Sequence, residues 1–231
     1  MKTVGIIGGI GPESTIEYYK YILHSYRDAK RDGTSPSVII NSIDLKKLLD
    51  LAGRTNLGEL TDYLVCEVKR LVEAGATLAL IAANTPHIVF ENVSRQISIP
   101  MISIVEATCE VAKSMGLKSL GLFGTRFTMQ GGFYQKVFTR ENIGITLPDT
   151  VDQDYIHGKY LTELVKGEVR PDTYKHLLAI ISRMKDNAGI EGLILGGTEL
   201  SLIFREEKAC EIPALNTARI HADKAISWML L

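Results

Sequence analysis

Short apolar runs, each closed by glycine or a small polar residue, alternate along this chain with longer stretches whose apolar residues recur at helical spacing. Residues 3–8, 37–43, 77–83, 100–105, 119–123, 192–195 and 212–215 read as strands. Residues 14–27, 57–73, the stretch up to Met115, residues 172–187 and the last segment read as helices. The run over 77–83 is apolar without interruption, the mark of a strand buried on both faces. Strands alternating with helices predict parallel sheets covered on both sides, an α/β fold. The least regular piece is 147–154, rich in Asp and Thr.

The pattern also repeats. Lys2-Thr3-Val4-Gly5-Ile6-Ile7-Gly8 matches Lys118-Ser119-Leu120-Gly121-Leu122-Phe123-Gly124, an offset of 116 residues from position 2 to position 118. Ala74-Gly75 matches Ala188-Gly189 at an offset of 114, and Ile99-Pro100-Met101 matches Ile212-Pro213-Ala214 at 113. Any two α/β units share a glycine after a strand. Three landmarks in one order at nearly one spacing go further and predict two copies of one unit.

Composition narrows the class. The chain has 231 residues, 45% hydrophobic and 23% charged, as expected of a soluble globular protein. A formal net charge of −1 supplies no field for nucleic acid or an anionic membrane. No apolar run reaches the ~20 residues that span a bilayer. The chain enters an apolar strand at once, so no signal peptide is expected. Cys66, Cys109 and Cys210 are odd in number and widely spaced, which predicts a reducing cytoplasm, no disulfide framework and no metal site.

In open α/β sheets ligands bind beyond the carboxyl ends of the strands, so the candidates lie just after each apolar run. Gly8-Gly9-Ile10-Gly11-Pro12-Glu13-Ser14-Thr15 offers glycines for close approach and hydroxyls at a helix start, although a tight turn alone would also explain it. It is not the dinucleotide fingerprint, because no third glycine follows at the required spacing. Ala83-Asn84-Thr85-Pro86-His87 brings donors for a carboxylate, with His87 either a base or a turn residue. Gly124-Thr125-Arg126-Phe127-Thr128-Met129 is the repeat of the first group; Arg126 is either a carboxylate fork or a solvated surface cation. Gly196-Gly197-Thr198-Glu199 is the repeat of the second, with Glu199 either an acid/base group or a residue that orients Thr198.

Taken together, Gly-Gly-x-Gly-Pro-x-Ser-Thr, Asn-Thr-x-His, Gly-Thr-x-x-Thr-Met and Gly-x-Thr-Glu resemble the aspartate/glutamate racemase family from Met1 to the final helix. The resemblance implies a cofactor-independent isomerase of two similar flavodoxin-like domains with parallel sheets related by a pseudo-twofold, and a cleft between them. It places one domain at 1–98 plus 209–231 and the other at 99–208, and implies a homodimer. In that family a cysteine precedes Asn-Thr in the first half and Thr-Glu in the second, and the two thiols exchange the α-proton across opposite faces of a carbanion. Here those positions are Ala83 and Gly197, neither of which transfers a proton. Asn216 stands where the family usually has an aspartate. Gly9, Ser14, Thr15, Asn84, Thr85, Thr125, Thr128 and Thr198 match positions expected to hold a small amino- or keto-dicarboxylic acid. The two small residues are expected to leave extra room at the site.

Three functions follow as expectations. One is a racemase-like enzyme with another proton shuttle, for which His87 and Glu199 are the candidates. Another is a non-catalytic binding protein. The third is a one-base isomerase or lyase on another substrate. Fold alone does not choose among them.

Overall fold

The computed structural model describes residues 2–54, 56–204, 208–209 and 211–231, without the side chains of Leu202, Lys208 and Ala209; Cys210 lies outside the described residues. Contacts group the chain into two compact units, Met1–Ile104 with Ala218–Leu231, and Val105–Thr217.

In the first unit β1 (Thr3–Gly8) is the central strand, flanked in parallel by β2 (Ser37–Ser42) and β3 (Leu78–Ile81). Every residue of β1 and β3 is buried, as a strand covered on both faces requires. The helices are α1 (Pro12–Lys30), α2 (Leu45–Ala52), α3 (Gly58–Glu73) and α4 (Phe90–Ser94), with a 3-10 turn at Thr85–Val89. The reason α3 forms is plain in its sequence. Leu60, Leu64, Val68 and Leu71 make one apolar stripe and are all essentially fully buried, worth roughly 1.5–3 kcal/mol each.

The second unit comprises α5 (Ile104–Ser114), β4 (Ser119–Gly124), α6 (Arg126–Gln130), α7 (Phe133–Arg140), β5 (Gly144–Thr146), α8 (Thr150–Thr162), a 3-10 turn at Leu164–Lys166, α9 (Pro171–Ala188), β6 (Gly192–Gly196), α10 (Leu200–Ile203), β7 (Lys208–Ala209) and β8 (Ile212–Asn216). Its sheet runs β5-β4-β6-β8 in parallel, with β7 added antiparallel to β8. The last helix, α11 (Thr217–Leu230), returns to the first unit. Among the described residues no helix is long and apolar enough to cross a membrane.

The repeat read from the sequence is the repeat of the sheets. The order β2-β1-β3 corresponds to β5-β4-β6. Met101 makes a parallel bridge to Ala79, as Ala214 pairs with Leu193. Each Ile-Pro run therefore completes the sheet it follows before the chain crosses. The units accordingly divide at Ile104 and Thr217, later than the boundaries of 98 and 208 that the sequence suggested.

Two local expectations change. The strand expected over 100–105 is reduced to the bridge at Met101, and α5 already begins at Ile104. Just beyond Met101, Ile102 N–H still donates to Ala79 O of β3 at 3.3 Å, while side chains meet the next backbone groups: Ile102 O accepts from His221, and Ile104 N–H donates to His87. The irregular piece 147–154 contains the start of α8. Asp149 caps it, its carboxylate accepting from Asp152 N–H at 2.9 Å. The buried residues of α8 include Asp152, Gln153, Ile156 and Tyr160, a face too polar to show as an apolar stripe.

Because that cap is the first anchor of α8, Asp149→Ala should destabilise the protein by about 1 kcal/mol. Urea unfolding of the variant measures this, and an unchanged midpoint would mean that packing alone sets the start of the helix.

Candidate functional site

In the first unit the glycine turn after β1 is fastened by Thr15. Its hydroxyl accepts from Gly9 N–H at 2.9 Å and donates to Gly11 O at 3.0 Å. Gly9 itself has a φ of 81°, and a Cβ there would lie 2.4 Å from Ile43 O, so the turn admits only glycine. Ser14, in the first turn of α1, is also buried, yet its Oγ has no hydrogen-bond partner among the described residues. Of the two adjacent hydroxyls, one is spent on the turn and the other is not.

Ala83, Asn84, Thr85 and His87 follow β3 and are all buried. Both ring nitrogens of His87 are engaged. A carbonyl can only accept, so Nδ1–H donates to Ala83 O at 2.8 Å, and Nε2 then accepts from Ile104 N–H at 3.1 Å. One neutral tautomer satisfies both bonds, and the ring stacks on Phe90. His221 of α11 has the same design: Nε2–H donates to Ile102 O at 2.8 Å and Nδ1 accepts from Tyr18 O–H at 2.9 Å. Burial pushes both imidazoles down, His87 to about 3, with His221 nearby adding to the effect, and His221 to about 4. The arrangement makes His87 a tie between the end of β3 and the start of α5, with no lone pair left over for a substrate proton.

In the second unit Thr125 caps α6, accepting from Thr128 N–H at 3.2 Å, and its Oγ1 lies 3.2 Å from that of Thr128. Arg126 points away from this pair into an exposed ion pair with Asp154 at 2.8 Å. Past β6, the Tyr160 hydroxyl donates to Glu199 Oε2, and Thr198 Oγ1 donates to the same oxygen at 2.9 Å. Glu199 is 1% exposed and Tyr160 7%. Burial, reinforced by the Glu199 charge, raises the Tyr160 phenol well above its ordinary range, so the phenol keeps its proton.

Tyr160 also decides what position 197 can be. A Cβ on Gly197 would lie 2.3 Å from Tyr160 Cε2 and 3.0 Å from its Oη. The room that the sequence suggested beside Gly197 is therefore taken by a phenol ring.

Comparison with known proteins settles the family. The profile described as Asp/Glu/Hydantoin racemase matches residues 7–225. The chain belongs to this family. An Asp/Glu racemase candidate from Yersinia pestis is 29% identical with a TM-score of 0.89, the match covering 100% of both chains. An aspartate racemase homologue from Pyrococcus horikoshii is 32% identical with a TM-score of 0.86, again over 100% of both. The broad specificity amino-acid racemase RacX of Bacillus subtilis is 22% identical over 98% of each chain.

Within the racemase family, then, this member carries a methyl group at position 83 and no side chain at position 197, with a tyrosine packed onto the latter. Sequence reasoning found the strand-end residues but missed Tyr160, Tyr18 and His221. The one available signal for Tyr160 was Asp152, Ile156 and Tyr160 at helical spacing behind an Asp149 cap.

The contact between Tyr160 and Gly197 predicts a coupled pair. Gly197→Ala should cost roughly 1–3 kcal/mol by overpacking. In a Tyr160→Leu background, which lacks the colliding atoms, the same change should cost under about 0.5 kcal/mol; additive effects in a double-mutant cycle would contradict the packing.

The buried histidines predict an acid-sensitive fold. Above the ordinary imidazole range both are neutral folded and unfolded, so their contribution to stability is complete. As pH falls below about 6.5, the unfolded chain takes up protons that the folded chain cannot, and stability drops until the folded values near 4 and 3 are passed. By pH 5 the loss should approach about 2 kcal/mol per histidine. Urea unfolding at pH 7, 6 and 5 tests it, with a shallower slope expected for His221→Gln and a flat profile counting against it.

Proposed function

We propose that this racemase-family chain binds a small amino- or keto-dicarboxylic acid through its strand-end polar groups, and that it does not carry out two-thiol racemisation. The binding groups in this reading are the Gly9 turn, Ser14, Asn84 and Thr85 in the first unit, and Thr125, Thr128 and Thr198 in the second. Thr15 contributes by holding the turn. The reading needs no cofactor, and it assigns the protein to the cytoplasm as a homodimer.

The observation that carries it is Ser14. A buried hydroxyl without a protein partner costs stability unless something else satisfies it. It sits in the first turn of a 19-residue helix, where the backbone dipole favours an anion. A ligand carboxylate meets both requirements. The chemistry excluded is equally specific. In this reading Ala83 and Gly197 stand at the thiol positions, and neither has a sulfur to remove or return the α-proton. General acid–base groups contribute ~10²–10⁴-fold each, so losing two places ordinary amino-acid racemisation several orders of magnitude below that of a two-thiol enzyme.

Calorimetry with glutamate, aspartate and 2-oxoglutarate tests the binding. Ser14→Ala should weaken the best of these by roughly 1–3 kcal/mol while leaving thermal stability unchanged or slightly higher, since no internal bond is lost. Asn84→Ala should weaken the same ligand. Affinity untouched by both changes would move the site elsewhere, and rapid interconversion of L- and D-glutamate by the native protein would refute the chemical half of the reading.

A further inference from the structure

Tyr160 and Glu199 form a buried phenol–carboxylate pair just past the end of β6. Tyr160 Oη lies 3.0 Å from the point where a Cβ of residue 197 would be, which is the space that the family resemblance gives to a thiol side chain. The phenol donates to Glu199 Oε2, and Thr198 holds the same oxygen from a second direction. A protonated phenol cannot itself serve as a strong base, and a phenolate beside the Glu199 carboxylate would place two negative charges in contact. Moving two protons in one direction would avoid this.

Resting on the dicarboxylate reading above, we infer that Tyr160 and Glu199 form a one-face proton relay, and that the substrate class it serves is a 2-keto dicarboxylate. In the step, the C–H bond beside the keto group breaks and its electron pair becomes the C=C bond of an enolate, the charge passing to the keto oxygen. The proton goes to Tyr160 Oη while the phenol's own proton goes to Glu199 Oε2. The products are an enolate, a neutral phenol and a neutral carboxylic acid, and reversal restores the keto acid. Tyr160 never carries a full charge.

The choice of a keto acid follows from the strength of the base. A carboxylate removes protons beside a carbonyl in known isomerases. The α C–H of an amino acid is far less acidic and calls for a stronger base. The choice of one face follows from the relay itself, which is one pair of groups on the side of Gly197. Inversion requires a second proton-transfer group; keto–enol exchange at a CH2 does not.

The test follows 2-oxoglutarate with the full-length protein in D2O by proton NMR, with affinity measured on the same sample by calorimetry. The native protein should exchange one of the two C3 hydrogens faster than buffer does and leave the other at the buffer rate. Tyr160→Phe keeps the ring against Gly197, so affinity should stay within about threefold while exchange falls by about 100-fold or more. Should that variant fail to fold by circular dichroism, Glu199→Gln serves in its place, because an amide cannot store the proton. Exchange at the native rate in the folded variant overturns the relay, as does binding of 2-oxoglutarate by the native protein with no exchange above buffer. Neither result touches the dicarboxylate reading. Absence of any dicarboxylate binding sinks that reading and, with it, the substrate class named here.

Discussion

At the carboxyl ends of β4 and β6 the two backbones run so close that neither Gly124 nor Gly196 has room for a side chain. A Cβ on Gly124 would lie 2.6 Å from Gly196 O, and one on Gly196 would lie 2.7 Å from Phe123 O. The first unit has a related crowding, where a Cβ on Gly8 would lie 2.5 Å from Thr15 Cγ2. These approaches put small residues and exposed backbone dipoles at the ends of the central strands. The polar residues that follow each glycine are thereby gathered at one end of each sheet, which is where an α/β unit presents a ligand site. Tyr160 extends the same constraint by one residue, since its ring lies against the bare Cα of Gly197.

The polar groups at these ends divide between architecture and chemistry, and burial is what separates them. Thr15 spends its hydroxyl on the glycine turn, and His87 spends both ring nitrogens on backbone groups of Ala83 and Ile104. Each satisfied bond removes a group from the list of those able to meet a substrate. Ser14 stands on the other side of that division. The paired histidines have a structural logic of their own. Where the Ile-Pro run leaves the first sheet, two neutral imidazoles meet its backbone: His221 donates to Ile102 O, and His87 accepts from Ile104 N–H.

A side chain at 197 and the present position of Tyr160 exclude each other. Beside the bare Cα of Gly197 the second unit therefore presents a hydrogen-bonded phenol and carboxylate. In the first unit Ala83 packs into the apolar cluster with Ile7, Ile10 and Ile81.

By itself the sequence determined the α/β class, the duplication and the strand-end location of the polar clusters. All three rest on short-range periodicity or on motifs repeated at a fixed offset. The stripe of Leu60, Leu64, Val68 and Leu71 and the doubled Lys-x-x-Gly-x-x-Gly run are legible because burial on a regular element imposes a period on the letters. Only the tertiary structure decided that His87 is a tie and that the gap beside Gly197 is filled. Tyr160 lies 37 positions before Gly197, at the end of a helix whose buried face includes Asp152 and Gln153 and so shows no apolar period. A contact of that kind is set by how α8 packs against the end of β6. No local pattern of residues encodes a meeting between two segments that are distant along the chain.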